Sequence, residues 1–525
     1  MKKLLLIFLS FLALDVNAQI DTVLFKSLKN IGEIPEGKNW VSFTSYEDWI
    51  LSTTYLYKES DGVYLQLGNS SNAGSLTTPA LPLSGNARIT MEVYMLDKYK
   101  HVQVTPIGSG QLTGNQLVDG KKVWTEISPM LLRGGNSETK LKIDTVAGIT
   151  GSKRFYVRNV LVCDMGDNIY WETFDKMLWK GGNDGDFTVT RNLDPVDLDY
   201  SGSTTNVRPA CQCIVLDGTV SELSTYTTSS LSFQYPEGSR AFASFKVAGV
   251  QGCNREIEIL GGKTSLGSVP FAEGVWEEKT VEITNIARNM TLTFKGTDCF
   301  LDDIRVWEVG YMADKEDNTA ALSHTAVENI MLDRTLGAGY WNTLCLPFDF
   351  SLEGELPEEM KGRTIELMHL TDVQDGVFIF TPTTAVSAGE PFLIKVSETV
   401  ENPTFRHVQV TQPTPVAKIF GSYQMVGVYS PKGLNTDGTH LFLGTDGNLY
   451  QPTADDYTMN GLRAYFVVPS GSGARVSLFD DPAGIAKKTQ ADNHQPGAFD
   501  LMGRPVKVQT SHNGIYIEKG KKRAW

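Results

Sequence analysis

Along most of this chain apolar and polar residues alternate with a period of two. Ile89, Met91 and Val93 are separated by polar neighbours, as are Ile257 and Ile259, Val281 and Ile283, and Leu292 and Phe294. Such alternation sends one side of an extended strand inward and the other to solvent. Asp-Gly pairs at 61–62, 119–120, 217–218, 375–376 and 446–447 punctuate these runs with turn chemistry. Only Leu352 to Lys361 reads as a short helical turn. The pattern predicts an all-β chain.

A weak internal repeat divides the first 310 residues. The segment 76–81 (LTTPAL) matches 226–231 (YTTSSL), Val123-Trp124 matches Val275-Trp276, and 155–160 (FYVRNV) matches 299–304 (CFLDDI). Two copies, each several strands long, suit two tandem jelly-roll β-sandwiches, at 19–164 and 165–310. A third β-rich module is expected over 319–480. A polar stretch with Pro, Gly, Gln and Asn at 481–497 reads as a linker, and 498–525 as a small C-terminal β unit.

Composition sets the compartment and narrows the partners. Lys2 and Lys3 precede an uncharged, mostly apolar run from Leu4 to Leu14, and Val16-Asn17-Ala18 supplies cleavage positions. This is the form of a signal peptide over residues 1–18, with the mature chain starting at Gln19. The run is too short to span a bilayer, and no later segment reaches the roughly 20 apolar residues a spanning helix needs. With 41% hydrophobic and 10% aromatic residues, the chain can bury real cores. The formal charge of −14 opposes phosphate backbones, so nucleic acid is not an expected partner. Six cysteines are too few for a disulfide scaffold. Cys211 and Cys213 point the same way on one strand, each placed to reach a neighbouring strand, and free or partly paired structural cysteines are expected.

Several motifs resemble known families. Phe300 to Ile304 (FLDDI), the segment Trp171 to Asp175 (WETFD) and the turn from Gly181 to Gly185 (GGNDG) resemble the galactose-binding-like or carbohydrate-binding-module jelly rolls common in Bacteroidetes surface proteins. Trp341 to Phe348 (WNTLCLPF), with Ala388 to Lys395 (AGEPFLIK) and Leu462 to Phe466 (LRAYF), resembles a β-rich module that recurs in large Bacteroides and Prevotella surface proteins. Phe499 to Val506 and Gly514 to Lys522 resemble the C-terminal sorting domain of the Por (type IX) secretion system, from which Arg523-Ala524-Trp525 departs. These resemblances imply a secreted or cell-surface protein with the secretion machinery as one partner.

No reaction is written in the motifs. The seven histidines stand without a neighbouring acid at useful spacing, and no nucleophile elbow, HExxH or P-loop occurs. Adjacent acids at Asp302-Asp303, Glu358-Glu359 and Asp455-Asp456 would face opposite sides of a strand. No catalytic residue is therefore expected. By alternation Asp302 falls on an apolar face with Phe300, Ile304 and Val306, where a bare charge needs a partner. In the resembling modules this position ligates a structural Ca²⁺ beside an N-terminal acid, which here would be Glu172. The alternative is that Asp302 caps a turn. The first copy, with Arg158 and Lys26 at the equivalents, should hold no metal. Trp49, Tyr55, Tyr57 and Tyr64 in the first copy, and Trp179 and Tyr235 in the second, are candidates for stacking on a sugar. Trp124 and Trp276 read as structural. The expectation is a surface binding or adhesion protein whose partner is a glycan or a cell-surface protein. The alternatives are a structural component of spacer or self-assembling β-modules and a secreted glycoside hydrolase or other hydrolase.

Overall fold

The computed structural model describes residues 21–478 apart from 97–99, 114–116, 119–121, 128, 146–152, 176, 178, 189–201, 254 and 454–456, together with backbone strands within 498–524. The leader and its cleavage positions, the acid pair Asp455-Asp456 and the linker 481–497 lie outside the described residues. The chain is all-β, with short 3-10 turns at Ala321–Ser323 and Glu358–Met360. The second of these falls within the segment expected to turn helically.

The first two units are sandwiches of matching strand order. In the first, the strand Phe155–Gly166 lies at the centre of a nine-stranded sheet, between Gly62–Leu67 and Asn86–Met95. In the second, Cys299–Ala313 lies between Ile214–Leu216 and Ser239–Gly249. Each packs on a five-stranded partner sheet. The alternation is obeyed closely: every second residue of Asn86–Met95 is buried, from Ala87 to Met95. Its inward residues join Leu65, Val157 and Ile143 in one core, while Phe245, Phe294, Leu301 and Val306 anchor the other.

Cys299–Ala313 is long enough to leave its own sandwich. Its last residues pair in parallel with Val327–Asp333, Gly310 opposite Ile330, and carry the sheet into the third unit. There two five-stranded sheets enclose cores centred on Phe348, Phe392 and Phe405, and on Phe378, Phe380 and Phe466. Four short backbone strands at Ala498–Phe499, Pro505–Val506, Ile515–Glu518 and Lys521–Ala524 form a small sheet at the tail.

Polar contacts lock the three units together. Arg133 of the first sandwich reaches Glu308 of the second at 3.0 Å, and both are nearly buried. Glu308 also accepts the backbone N–H groups of Gln234 and Tyr235. Tyr235 stacks on His324 at 3.9 Å, and its hydroxyl accepts from the N–H groups of Thr325 and Ala326. Asp167 faces Arg406 and His407 of the third unit. All six cysteines are free thiols.

Candidate functional site: an aromatic sheet face

The outer face of the first sandwich carries a band of rings that crosses neighbouring strands. Trp40 stands opposite Tyr57, Tyr57 opposite Tyr64, Tyr156 opposite Tyr94, and Tyr94 opposite Trp124. The residues between them, Leu65, Val93 and Val157, point into the core. Alternation therefore places all these rings on one side, and cross-strand aromatic pairs are among the stronger contacts a sheet surface makes. Tyr64 and Tyr156 form the buried floor, stacked at 5.9 Å, with Trp124 5.0 Å from Tyr64 and Tyr94 5.6 Å from Tyr156. Trp40 is 54% exposed and meets Tyr55 edge-on at 5.6 Å. Tyr55, Tyr57, Tyr94 and Trp124 are half-buried, so each shows an edge or face to solvent.

Polar groups frame the rings. The Tyr156 hydroxyl donates to Glu59 at 2.8 Å, and burial together with that carboxylate raises its pKa. Tyr64 donates to Asp61 at 2.6 Å; this bond and Lys29 hold the Asp61 carboxyl below its ordinary value. Asn69 donates to the Tyr55 hydroxyl. Arg158 grips Glu92 at 2.6 Å while its guanidinium lies 4.0 Å over Trp124. Flat apolar faces beside carboxylates, amides and hydroxyls are the chemistry that accepts a sugar ring and reads its hydroxyls.

The structure sorts the sequence-predicted residues. Tyr55 and Tyr57 lie on the band, as does Tyr64, although Tyr64 is buried. Trp49 does not: it is 5% exposed inside the first core, and its indole N–H has no partner there. A ring enclosed by core side chains offers no face, which corrects the expectation of stacking at Trp49. Tyr235 is likewise taken up at the junction with His324. Trp179 is half-buried, and its backbone N–H donates to Ala210. Trp40, Tyr94 and Tyr156 were missed, and Trp124 was read only as structural. Each has the right residue type at an outward position, and the signal was the opposite parity to the core residues beside it.

Asp302 and Glu172 are not brought together. Asp303 has φ +49°, and the pairing with Ser239–Gly249 shifts register between Ser244 and Lys246. This bulge breaks the alternation. Asp302 pairs with half-exposed Lys246 on the outer side, whereas Ile304 and Val306 point into the core. Glu172 pairs with Ile304, and its carboxylate accepts from the Phe174 N–H at 3.2 Å. The two acids thus face opposite sides of the sheet. Asp302 accepts from the Asn183 amide at 3.1 Å and from the Asp303 N–H at 2.7 Å. Burial pushes its carboxyl up to about 7, a shift that Asn183 moderates. Among the described residues no group of three or more His, Cys, Asp or Glu is placed to hold a metal. Donors aimed at a lone carboxyl fit the turn-holding alternative better than a two-acid Ca²⁺ site. The other adjacent acids are also engaged: Asp303 with Lys246 and Arg305, Glu358 with Lys361, and Glu359 with the Thr404 N–H.

No protein-family model matches the chain, and no curated protein matches it. Several solved structures share the arrangement weakly. The tandem CBM22 modules of Xyn10C from Paenibacillus barcinonensis are 12% identical, cover 56% of this chain and 99% of theirs, and give a TM-score of 0.21. The tandem CBM51 modules of Sp3GH98 from Streptococcus pneumoniae are 12% identical over 55% and 97%, with a TM-score of 0.14. Allantoicase from Saccharomyces cerevisiae is 13% identical over 55% and 89%, with a TM-score of 0.21. At these values the likenesses carry no argument about a ligand or a reaction. No helix among the described residues is long and apolar enough to cross a membrane.

Proposed function

We propose that this chain is an exported surface protein that binds glycan on the outer face of its first sandwich and acts as a binding component rather than a catalyst. The observation that carries this reading is the continuous ring band with Trp40 exposed at one end and polar groups along its border. A soluble sheet with no ligand to meet has little reason to turn Trp40, Tyr55 and Tyr57 outward together, since an exposed aromatic cluster invites association. Export rests on the leader, and display at the surface on the tail motif. Deleting residues 497–525 should leave the protein in the periplasm; unchanged surface display would remove the sorting role. Binding is tested by screening the full chain on a glycan array beside Trp40→Ala and Tyr57→Ala. The reading expects a defined set of glycans, lost or weakened in both variants. An array without hits, or one indifferent to both substitutions, contradicts it.

A second reading, a rigid structural spacer, is favoured by one observation. The buried Arg133–Glu308 pair and the Tyr235–His324 stack hold the units in one orientation. The two readings are compatible, because a stiff arm is a useful way to present a binding face.

A further inference from the structure

The second sandwich carries a groove of its own, walled by residues of all three units. Its floor is the outer side of the sheet that contains Cys299–Ala313, and its volume is about 570 Å³, within the several hundred cubic ångströms typical of ligand clefts. Trp171 stands opposite Arg305 on neighbouring strands, and Trp307 opposite Phe242, the latter two rings stacked at 5.7 Å. One rung further along, Ser244 lies opposite Thr280, and Lys246 opposite Glu278. Asp164 at the end of the first sandwich and Asp167 just beyond it close one side, and Arg406 of the third unit closes another.

Most charged groups in this groove are already engaged. Arg305 grips Asp303 through two N–H groups at 2.9 and 2.7 Å, Arg406 faces Asp167 at 3.4 Å, and Asp164 accepts from the Ser84 hydroxyl at 2.6 Å. What remains is the reverse. Among the described residues, the indole N–H of Trp307, the hydroxyls of Ser244 and Thr280, and the Glu278 carboxylate have no hydrogen-bond or ionic partner. These groups line a groove beside two tryptophans. Donors and acceptors left open beside aromatic surface match a ligand that is apolar on its ring faces and polar at its edges. The carboxylates of Glu278 and Asp164, neither paired with a cation among the described residues, disfavour an anion.

We propose that this groove is a second binding site, for a neutral oligosaccharide, and that it is complete only in the full chain because Asp164 and Arg406 come from the neighbouring units. Its occupant packs on Trp307 while Ser244, Thr280 and Glu278 take its hydroxyls; Trp171 serves as wall, its ring covered by the Arg305 guanidinium at 4.6 Å and its indole N–H held by Asp303.

The full chain is titrated calorimetrically with neutral cello-, xylo- and manno-hexaose, alongside Trp40→Ala, Trp307→Ala, and the exposed pair Thr280→Val and Glu278→Gln, which leave the fold undisturbed. One or more of the three probes is expected to fill two sites in the wild type. Trp40→Ala should remove one site. Trp307→Ala should remove the other, and each exposed substitution should weaken that second site about tenfold. A single wild-type site abolished by Trp40→Ala and indifferent to Trp307, Thr280 and Glu278 overturns the groove while leaving the first face intact. A single site abolished by Trp307→Ala and indifferent to Trp40→Ala supports the groove and overturns the first face. No heat with any of the three probes overturns the groove.

Discussion

The two sandwiches share a strand order and put opposite things on the same side of it. In the first, the rung beside the central bulge pairs Arg158 with Glu92; in the second it pairs Asp302 with Lys246, with the signs exchanged. Both bulges turn on a residue with positive φ, Asn159 at +50° and Asp303 at +49°. Two residues earlier along the same central strands the difference grows. The first copy sets Tyr156 against Tyr94, part of a band that reaches exposed Trp40. The second copy sets Phe300 against Ala248, and a loop lies over it. Gly181 and Gly182, at φ +105° and +82°, bring that loop so close that a Cβ on Gly182 would meet the Cys213 sulfur at 2.4 Å. Phe187 then packs on Trp276 and Phe300 in a small core of its own. In the first copy the corresponding passage offers Lys29, which sits 5.1 Å over Tyr64 and pairs with Asp61. A greasy lid seals this end of one face, and a charged, water-seeking side chain only borders the other.

The sharpest break in this comparison is between two tryptophans nine residues apart. Trp49→Ala should cost about 3–5 kcal/mol of stability, the usual result of emptying a buried aromatic site, and should leave intrinsic affinity for glycan unchanged where the fold survives. Scanning calorimetry beside a binding titration checks both halves.

Next in size is a pH effect confined to the second sandwich. The Asp302 carboxyl stands near 7 when folded against an ordinary 3.8. A raised carboxyl favours the folded state only while it is protonated. That contribution is complete below pH 4, is lost as the pH climbs through 7, and amounts to something on the order of 4 kcal/mol. Asp302→Asn should flatten this slope in melting curves taken from pH 4 to 8. Calcium and chelator should give the same curves; a calcium-dependent rise in melting temperature that Asp302→Asn removes would restore the metal to this site.

Stripping the lid should have a smaller effect. Phe187 is only partly buried, so Phe187→Ala should cost about 1–3 kcal/mol, less than a fully enclosed ring, and should expose Trp276 to a soluble quencher. Unaltered Trp276 accessibility would show that the loop does not seal that face.

Much of this was legible in the residues. Alternation gave the strands, and the repeat of Trp124 at Trp276 and of Arg158 at Asp302 tracked matching structural positions. Two things were not legible, for definite reasons. A one-residue bulge reverses the facing of everything beyond it, so counting by twos put Asp302 on the core side with Ile304. The parity of a ring also means little until the strand's inward residues are known. Trp49 lies just ahead of the strand Ile50–Ser52, where no alternation ran through it, whereas Trp40 stands beside inward-packed Val41.

The central claim is that exposed rings of the first sandwich hold the ligand. The most direct measurement is the affinity of Trp40→Ala for whichever glycan the full chain selects on an array, taken with its melting temperature. The account predicts binding weaker by about 1–3 kcal/mol, the usual loss on truncating an anchoring aromatic, and a melting curve superimposable on the wild type. Wild-type affinity in a normally folded Trp40→Ala protein would contradict it.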